Sequence, residues 1–269
     1  MATPLSVVLA GGGSAGHVNP LLALADALVR REPDTRIVVL GTQEGLEARL
    51  VPQRGYELLS VPRAPFPRRP NAAALAFPRA LNGSISSAGE AIRHAEADVV
   101  VGFGGYVSTP AYVAARRQRV PIVIHEQNAR PGLANRLGAR MTRHVATTFE
   151  ATTLPHARWI GMPLRREIAV LDRAASRTEA LQHFDLDPHR RTLLVFGGSL
   201  GAQRLNETFA AAGADCAAAD VQVLHLSGAG KAVAVNRGRH RSSARYEVRP
   251  YTDRMDLAYA VADLAICRA

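Results

Sequence analysis

The sequence has few of the residues that mark several protein classes. Its 269 residues include two cysteines, Cys216 and Cys267, which lie far apart and predict no disulfide framework, as suits a reducing compartment. No apolar run approaches the roughly 20 residues of a membrane-spanning helix, and no basic segment precedes the apolar N-terminal run as in a signal peptide. With 47% hydrophobic residues, the sequence predicts a soluble or peripheral protein with real α/β cores.

Lysine is also scarce, since Lys231 is the only one and arginine supplies nearly all of the net charge of +10. The arginines are scattered and no aromatic-interleaved strand accompanies them, so the pattern predicts no nucleic-acid partner. An anionic membrane surface or a phosphorylated substrate fits this charge at least as well. Codon bias alone is the alternative interpretation.

The most informative stretch is residues 7–17, where an apolar run leads into G-G-G-S-A-G-H and then into a helical pattern. Glycines allow the backbone to approach a ligand, and a helix start offers unpaired N–H groups to polar or anionic oxygens. His17 ends this turn, and an imidazole is a suitable proton acceptor for a sugar or alcohol hydroxyl. A tight turn that the histidine merely caps is the alternative.

The same loop matches a dinucleotide fingerprint, because Gly11, Gly13 and Gly16 spell G-x-G-x-x-G. That site also needs an acidic residue at the end of the second strand to hold a ribose. Here the second apolar run, 37–40, continues into Gly41-Thr42-Gln43 without an acid at its tip. The pattern therefore disfavours a nicotinamide or flavin site.

Short apolar runs alternate with helical patterns along the chain, which is typical of parallel sheets flanked by helices. The expected strands lie near 5–10, 36–40, 57–61, 98–102, 121–125, 143–147, 157–160, 192–196, 221–226, 246–249 and 263–267. A break at 161–165 precedes a second strand–glycine–helix unit at 192–202. We therefore expect an α/β protein with two Rossmann-like domains facing a cleft, 1–162 and 163–269.

The segment from Pro62 to Leu81 has a composition of its own. Its first half is rich in proline, and arginines surround apolar side chains throughout it. The arginines are Arg63, Arg68, Arg69 and Arg79, and the apolar residues are Phe66, Leu75, Phe77 and Leu81. Apolar residues fringed by cations favour an anionic bilayer surface. The alternative is an ordinary loop and short helix that cover the sheet.

Four motifs occur in a fixed order: G-G-G-S-A-G-H at 11–17, G-F-G-G-Y-V-S at 102–108, H-E-Q-N at 125–128 and G-G-S-L-G-A at 197–202. Together with the segments 251–255 and 262–268 they closely resemble one family. It comprises the UDP-N-acetylglucosamine:N-acetylmuramyl-(pentapeptide) pyrophosphoryl-undecaprenol N-acetylglucosaminyltransferases of peptidoglycan synthesis, the MurG family, and the first motif resembles its actinobacterial branch.

This resemblance implies a GT-B fold and inverting transfer of N-acetylglucosamine from UDP-N-acetylglucosamine to lipid I, giving lipid II. The N-terminal domain would hold the lipid-linked acceptor and the C-terminal domain the UDP-sugar. No metal or other cofactor is expected. The implied location is the cytoplasmic face of the cell membrane, as a peripheral protein with an anionic membrane surface and cell-division or cell-wall synthesis proteins as partners.

The resemblance also assigns site residues. His17 matches a residue proposed as a base, and Glu126 is assigned to catalysis with it. The residues that match UDP-N-acetylglucosamine-binding positions are Ser14, Ala15, Gly16, Asn128, Arg165, Ser199 and Thr252. Motif positions with less defined roles are Tyr106, Asn135 and Asn206. The alternatives are purely structural roles: a polar strand-end network for His125 and Glu126, a helix N-cap for Ser199 and an interdomain salt bridge for Arg165.

Some residues depart from the family pattern. Met162 replaces an asparagine and Leu200 a glutamine, while the D-x-D of Asp185 and Asp187 is expected to be turn chemistry and not a metal site. Family members continue after the arginine matched by Arg268 with further donor-binding residues, so we expect a C-terminally truncated second domain without measurable transfer. The alternative functions are an inactive module that binds the lipid acceptor or a division partner, and a GT-B transferase for another nucleotide sugar.

Overall fold

The computed structural model describes residues 4–64, 72–198, 200–236 and 245–268. Contacts divide the chain into two compact units, Met1–Arg165 and Arg166–Ala269, which we call unit 1 and unit 2. Both are built of parallel strands with helices between them, as the alternation of apolar runs and helical patterns predicts.

The elements of unit 1 alternate almost throughout between strand and helix. In chain order they are β1 (Ser6–Ala10), α1 (Ala15–Arg31), β2 (Arg36–Gly41), α2 (Leu46–Gln53), β3 (Glu57–Ser60), α3 (Ala72–His94), β4 (Val99–Gly102), α4 (Ser108–Gln118), β5 (Ile122–Glu126), α5 (Leu133–Gly138), β6 (His144–Thr147) and β7 (Ala157–Trp159).

The seven strands form one parallel sheet in the order β3-β2-β1-β4-β5-β6-β7. The order reverses between β1 and β4, which pair in the register Val7 with Val99 through Ala10 with Gly102. In open parallel sheets a ligand crevice lies at such a switch point, beyond the carboxyl ends of the strands. The loops after β1 and β4 therefore form the edge of unit 1 where a site is expected.

The central strand β1 is buried on both faces because its side chains alternate between two cores. Val8 and Ala10 belong to the core covered by α3 and α4, whereas Val7 and Leu9 belong to the core covered by α1 and α2. Such burial on both faces explains why the strands of a parallel sheet read as continuous apolar runs.

Helix α3 is longer than the short helix considered as the alternative interpretation of the segment 62–81, since it runs for 23 residues from Ala72 to His94. Pro78 lies inside it, and packing of Ile85 and Ile92 into the core fixes the part that follows. Residues 65–71, and with them Phe66, Arg68 and Arg69, lie outside the described residues. None of the described helices is long and apolar enough to cross a membrane.

Unit 2 consists of α6 (Arg166–Ala169), α7 (Arg173–Phe184), β8 (Arg191–Phe196), α8 (Gln203–Ala211), α9 (Gly213–Ala218), β9 (Val221–Leu226), β10 (Tyr246–Arg249), α10 (Met255–Val261) and β11 (Leu264–Cys267). Its parallel sheet has the order β10-β9-β8-β11. This order repeats that of the first four strands of unit 1, so the second switch point lies between β8 and β11.

All eleven strands expected from the apolar runs are present. The strands of unit 2 differ in burial, since β8 and β9 are largely buried while most of β11 is exposed. Leu264 in β11 is 62% exposed, an unusual value for an apolar side chain in a parallel sheet. Among the described strands, β11 pairs with β8 alone, so only one of its two edges has a described neighbour.

Two helical glycines allow a test of packing in unit 1. Nothing lies within 4 Å of a methyl group built on Gly83 in α3, whereas one on Gly138 would meet the Tyr112 ring at 2.6 Å. We expect Gly83→Ala to stabilise unit 1 by about 0.5–1 kcal/mol and Gly138→Ala to destabilise it by about 1–3 kcal/mol. Urea unfolding of the two variants measures both, and equal midpoints would contradict the packing described.

Candidate active site

The switch point of unit 1 brings the first and second glycine motifs together. The loop after β1 continues into α1, and the loop after β4 begins with Phe103, whose N–H donates to Ala10 O at 2.8 Å. Gly104 has φ +91°, and a methyl group on it would lie 3.2 Å from His17 Nε2. A glycine is therefore required beside the imidazole both for its backbone conformation and for the space it leaves.

His17 is half-buried in the first turn of α1. Its Nδ1 lies 3.1 Å from Gly12 O and 3.1 Å from Ser14 Oγ. A carbonyl can only accept, so the bond to Gly12 requires the proton on Nδ1 and leaves the Nε2 lone pair free in the neutral ring. Nε2 has no hydrogen-bond partner in the described part of the chain. The geometry therefore presents a base beside Gly104.

Ser14 is the N-cap of α1, but its side chain makes no capping hydrogen bond because Oγ faces His17. The backbone N–H groups of Ala15 and Gly16 follow at the start of α1. Such N–H groups have no partner within a helix and can donate to ligand oxygens. The structure thus brings Ser14, Ala15, Gly16 and His17 together at one helix N-terminus.

A further residue at this loop, Glu47, was not found by the sequence analysis. It lies in the first turn of α2, is fully buried and accepts from Gly13 N at 2.9 Å. The N–H of Gly13, a member of the dinucleotide fingerprint, is therefore already occupied by a carboxylate. Because that negative charge also repels a pyrophosphate, the first glycine loop does not suit a dinucleotide.

Glu126 ends β5, and its buried carboxylate accepts four hydrogen bonds, three from the loop that follows and one from α5. Oε1 accepts from Asn128 N at 2.9 Å and Asn128 Nδ2 at 2.8 Å, while Oε2 accepts from Gly132 N at 3.0 Å and Asn135 Nδ2 at 3.0 Å. Asn128 is exposed, and its Oδ1 has no partner within the described ranges. The carboxylate therefore fixes the loop and aims the Asn128 amide at solvent.

His125 is buried and takes part in a separate network. Gln127 Nε2 donates to its Nδ1 at 3.0 Å, so its Nε2 carries the proton and donates to Gly161 O at 2.9 Å. Burial lowers the pKa of His125, which keeps the ring neutral. His125 thus joins β5 to the chain at Gly161, as the strand-end interpretation predicts.

Asn135 connects the H-E-Q-N loop to the core. It is buried in α5, where its Oδ1 accepts from the Tyr112 hydroxyl at 2.7 Å. Burial raises the pKa of Tyr112, so the hydroxyl remains a donor. Tyr106 lies instead on the surface, 45% exposed, with the Arg63 guanidinium 5.6 Å from its ring centroid.

The second glycine loop lies at the switch point of unit 2 and leads into α8. Gly198 and Gly201 have φ of +87° and +66°, which favour glycine, and Gly201 packs against the Ser227 carbonyl so closely that a methyl group has no room. Ala202, the N-cap of α8, offers no capping side chain. Leu200 is 69% exposed at the tip, and Ser199 lies outside the described residues.

A buried relay supports this second loop from beneath. Asn206 in α8 donates from Nδ2 to Ser227 O at 2.8 Å, so its Oδ1 accepts from His225 Nε2 at 3.0 Å. His225 Nδ1 then accepts from the Tyr246 hydroxyl at 2.9 Å. Burial lowers the pKa of His225. This gives Asn206 a contact role that its motif position did not reveal.

The other expected positions are placed as follows. Thr252 is half-buried between β10 and α10, and its Oγ1 accepts from Arg254 N at 3.1 Å. Arg165 is half-buried at the end of unit 1. Asp185 and Asp187 serve turns, since Asp185 caps α7 and Asp187 accepts from His189 N at 2.9 Å. Within the described ranges, no three His, Cys, Asp or Glu side chains are grouped to hold a metal ion.

Comparison with known proteins identifies the family. A model described as glycosyltransferase family 28 N-terminal domain matches residues 7–147, and one described as glycosyltransferase family 28 C-terminal domain matches residues 192–269. The chain belongs to glycosyltransferase family 28. The two models cover the two strand–glycine–helix units, so both glycine loops lie in matched regions.

Curated relatives place the chain in the MurG branch of this family. A relative from Leifsonia xyli is 57% identical over 97% of this chain and 72% of its own length, and one from Nocardioides is 52% identical over 98% and 73%. Both are named UDP-N-acetylglucosamine--N-acetylmuramyl-(pentapeptide) pyrophosphoryl-undecaprenol N-acetylglucosamine transferase.

Solved structures agree with this placement. Acinetobacter baumannii MurG is 27% identical with a TM-score of 0.68, over 99% of this chain and 72% of that chain. The calicheamicin glycosyltransferase CalG4 shares the fold, with a TM-score of 0.63 at 18% identity over 98% and 74%. The expected GT-B fold is confirmed.

The contacts of Glu126 lead to a prediction. Glu126→Gln replaces one acceptor oxygen by an NH₂ group that faces loop donors, so we expect the free energy of unfolding to fall by about 1–3 kcal/mol and the amides of Asn128 and Gly132 to exchange faster. The exposed Glu150 supplies the control, Glu150→Gln, with an effect within about 0.5 kcal/mol. Unchanged exchange at both amides in Glu126→Gln would refute the loop-fixing contacts.

Proposed function

We propose that the chain is a hexosyltransferase that moves N-acetylglucosamine from UDP-N-acetylglucosamine to undecaprenyl-pyrophosphoryl-N-acetylmuramyl-pentapeptide, the step from lipid I to lipid II in peptidoglycan synthesis. Family membership and the names of relatives more than 50% identical support this reaction. The observation that carries the mechanism is the His17 ring, whose Nδ1 is held by Gly12 O while Nε2 stays free.

His17 is the general base of this mechanism. The acceptor hydroxyl oxygen attacks the anomeric carbon of the donor sugar while Nε2 takes the hydroxyl proton. The bond between that carbon and the diphosphate oxygen breaks, and UDP leaves with the electron pair, so the configuration inverts. Gly12 O accepts the hydrogen bond from Nδ1–H throughout and stabilises the imidazolium that forms.

The second glycine loop receives the diphosphate. Its two glycines with positive φ and the uncapped start of α8 present backbone N–H groups where negative charge develops as UDP departs. Ser199 and Thr252 complete the donor site from unit 2, and Arg165 adds positive charge. Ser14, Ala15, Gly16 and Asn128 contribute from unit 1, where the α1 N-terminus and the Asn128 amide are open to a ligand.

Glu126 acts in this scheme as a positioning residue for Asn128. Two of the four hydrogen bonds that its carboxylate accepts come from Asn128, and a third comes from Gly132 in the same loop. A carboxylate so occupied is poorly placed to exchange a proton with substrate. In this proposal residues 1–162 hold the acceptor and residues 163–269 hold the UDP-sugar, as the resemblance to the family implies.

Replacement of His17 tests the base. With His17→Ala we expect turnover to fall by about 10²–10⁴-fold, the usual contribution of a general base, while the KM for UDP-N-acetylglucosamine stays within about twofold because the ring does not hold the donor. Transfer of labelled N-acetylglucosamine to a lipid I analogue measures both. The assay uses this chain extended by the C-terminal remainder of the Leifsonia xyli relative, alongside the chain itself.

His94→Ala is the matched control, since His94 lies on the surface and bonds to Glu57 and Arg36. Its turnover should equal that of the parent. Near-normal turnover of His17→Ala would eliminate the base and leave the capping interpretation.

The membrane-facing surface is assigned to the outer side of α3 and α4 in unit 1. A groove of about 240 Å³ between these helices is lined by Ile85 and Ala114 together with Arg93 and Arg117. Both arginines are exposed and have no ion-pair partner within the described ranges. Arg63, by contrast, pairs with Glu44 at 3.2 Å. Two exposed arginines without ion-pair partners, beside a groove that also carries Asn82, Ser86 and Gln118, suit the headgroups of anionic lipids at the cytoplasmic face.

Vesicle binding tests this surface. We expect the double variant Arg93→Ser, Arg117→Ser to bind phosphatidylglycerol vesicles about 30-fold more weakly, since each arginine near such a surface contributes about 1 kcal/mol. Binding of the parent should weaken with salt. Flotation with vesicles at two salt concentrations measures both effects.

Arg30→Ser, Arg31→Ser removes the same charge from the end of α1, which covers the other face of the sheet, and should leave binding unchanged. Equal loss in the two double variants would mean that net charge alone acts. Cell-division and cell-wall synthesis proteins are proposed as partners on the strength of the reaction only.

A further inference from the structure

Glu47 is a buried charge that the mechanism above does not use. It is fully buried in unit 1, and no lysine, arginine or histidine of the described chain forms an ion pair with it. Gly12, Gly41 and Gly45 surround it so closely that side chains there would overlap its carboxylate or its methylenes. Burial of an unpaired carboxylate is costly, so its hydrogen bonds must account for it.

Three donors satisfy the Glu47 carboxylate. Gly13 N donates to Oε2 at 2.9 Å, and Thr42 N and Oγ1 donate to Oε1 at 3.0 and 2.8 Å. Although burial favours the neutral acid, the hydrogen bonds from Gly13 and Thr42 hold the pKa of Glu47 below its ordinary value. The group is therefore a carboxylate at neutral pH.

The Gly12–Gly13 peptide joins this carboxylate to His17. The N–H of that peptide belongs to Gly13 and donates to Glu47, while its C=O belongs to Gly12 and lies 3.1 Å from His17 Nδ1. The two groups lie in one rigid plane. A charge on the N–H side polarises the peptide and makes its carbonyl a stronger acceptor.

We propose that Glu47 is a positioning residue that selects the catalytic tautomer of His17 through the Gly12–Gly13 peptide. This inference rests on the proposed role of His17 as the base. Ser14 Oγ lies 3.1 Å from the same Nδ1 and can donate to it, which would place the ring proton on Nε2 and abolish the base. Glu47 decides this competition in favour of Gly12 O, because the polarised carbonyl demands the proton on Nδ1.

The ring tautomer of His17 is the direct readout. Nitrogen-15 chemical shifts of histidine-labelled protein distinguish Nδ1–H from Nε2–H, and the His17 signal among the nine histidines is the one missing in His17→Gln. In the unmodified 269-residue chain with the ring neutral, we expect the Nδ1–H form. A predominant Nε2–H form would overturn the proposal before any other variant is made.

Glu47→Gln removes the charge and turns an NH₂ group toward either Gly13 or Thr42. We expect its His17 signal to shift toward the Nε2–H form and turnover in the extended chain to fall by about 10–100-fold, with the KM for UDP-N-acetylglucosamine within twofold. Adding Ser14→Ala removes the competing donor, so the Glu47→Gln, Ser14→Ala protein should regain the Nδ1–H form. An unchanged tautomer in folded Glu47→Gln would overturn the proposal.

Thr42→Val is the matched control, since it removes one hydrogen bond to Glu47 but keeps the charge and the contact with Gly13. It should lower stability by about 1 kcal/mol and leave the tautomer unchanged. Should His17→Ala keep its turnover, the base role itself fails. Should His17→Ala lose turnover while Glu47→Gln keeps both tautomer and turnover, only the positioning role fails.

Discussion

The first glycine loop depends on one interaction, the hydrogen bond from Gly13 N to the buried Glu47 carboxylate. Without a partner, a charge in that position would be expelled or neutralised. The surrounding glycines supply room, Gly13 and Thr42 supply the donors, and α2 supplies the charge. The position of Gly12 O, and with it the orientation of His17, follows from this contact. The glycines of this loop therefore make room for the Glu47 carboxylate of the protein itself, and not only for a bound ligand.

The sequence predicted the fold in some detail because parallel strands buried on both faces appear as short apolar runs ended by glycine. The strands β1, β2, β4 and β8 follow this rule most clearly, each reaching a glycine at or directly after its last residue. The sequence did not reveal the length of α3, which runs through Pro78 where only a short helix was considered as the alternative interpretation. Proline removes one helical N–H but not the packing of Ile85 and Ile92, and burial of that apolar face outweighs the lost bond.

The site was only partly predictable, for a physical reason. The sequence motifs predicted His17 at the start of a helix and Glu126 at the end of a strand, and both lie there in the structure. A sequence motif does not show how many hydrogen-bond donors surround a given carboxylate. Glu126 receives three from the loop that follows it and one from α5, and Glu47 receives three from residues that lie 34 and 5 positions away in sequence. Such convergence exists only after the sheet has assembled.

The two glycine loops have similar sequences but lie over groups of different charge. Beneath the first loop lies a carboxylate, which repels a diphosphate but stabilises an imidazolium that forms as a proton is transferred. Beneath the second lies the neutral relay of Asn206, His225 and Tyr246, and the uncapped start of α8 adds positive potential. These surroundings agree with the proposal that the nucleotide anion binds at the second loop and that the proton is abstracted at the first. The proposed division of roles between the units therefore rests on what lies under each loop, since the glycines themselves are common to both.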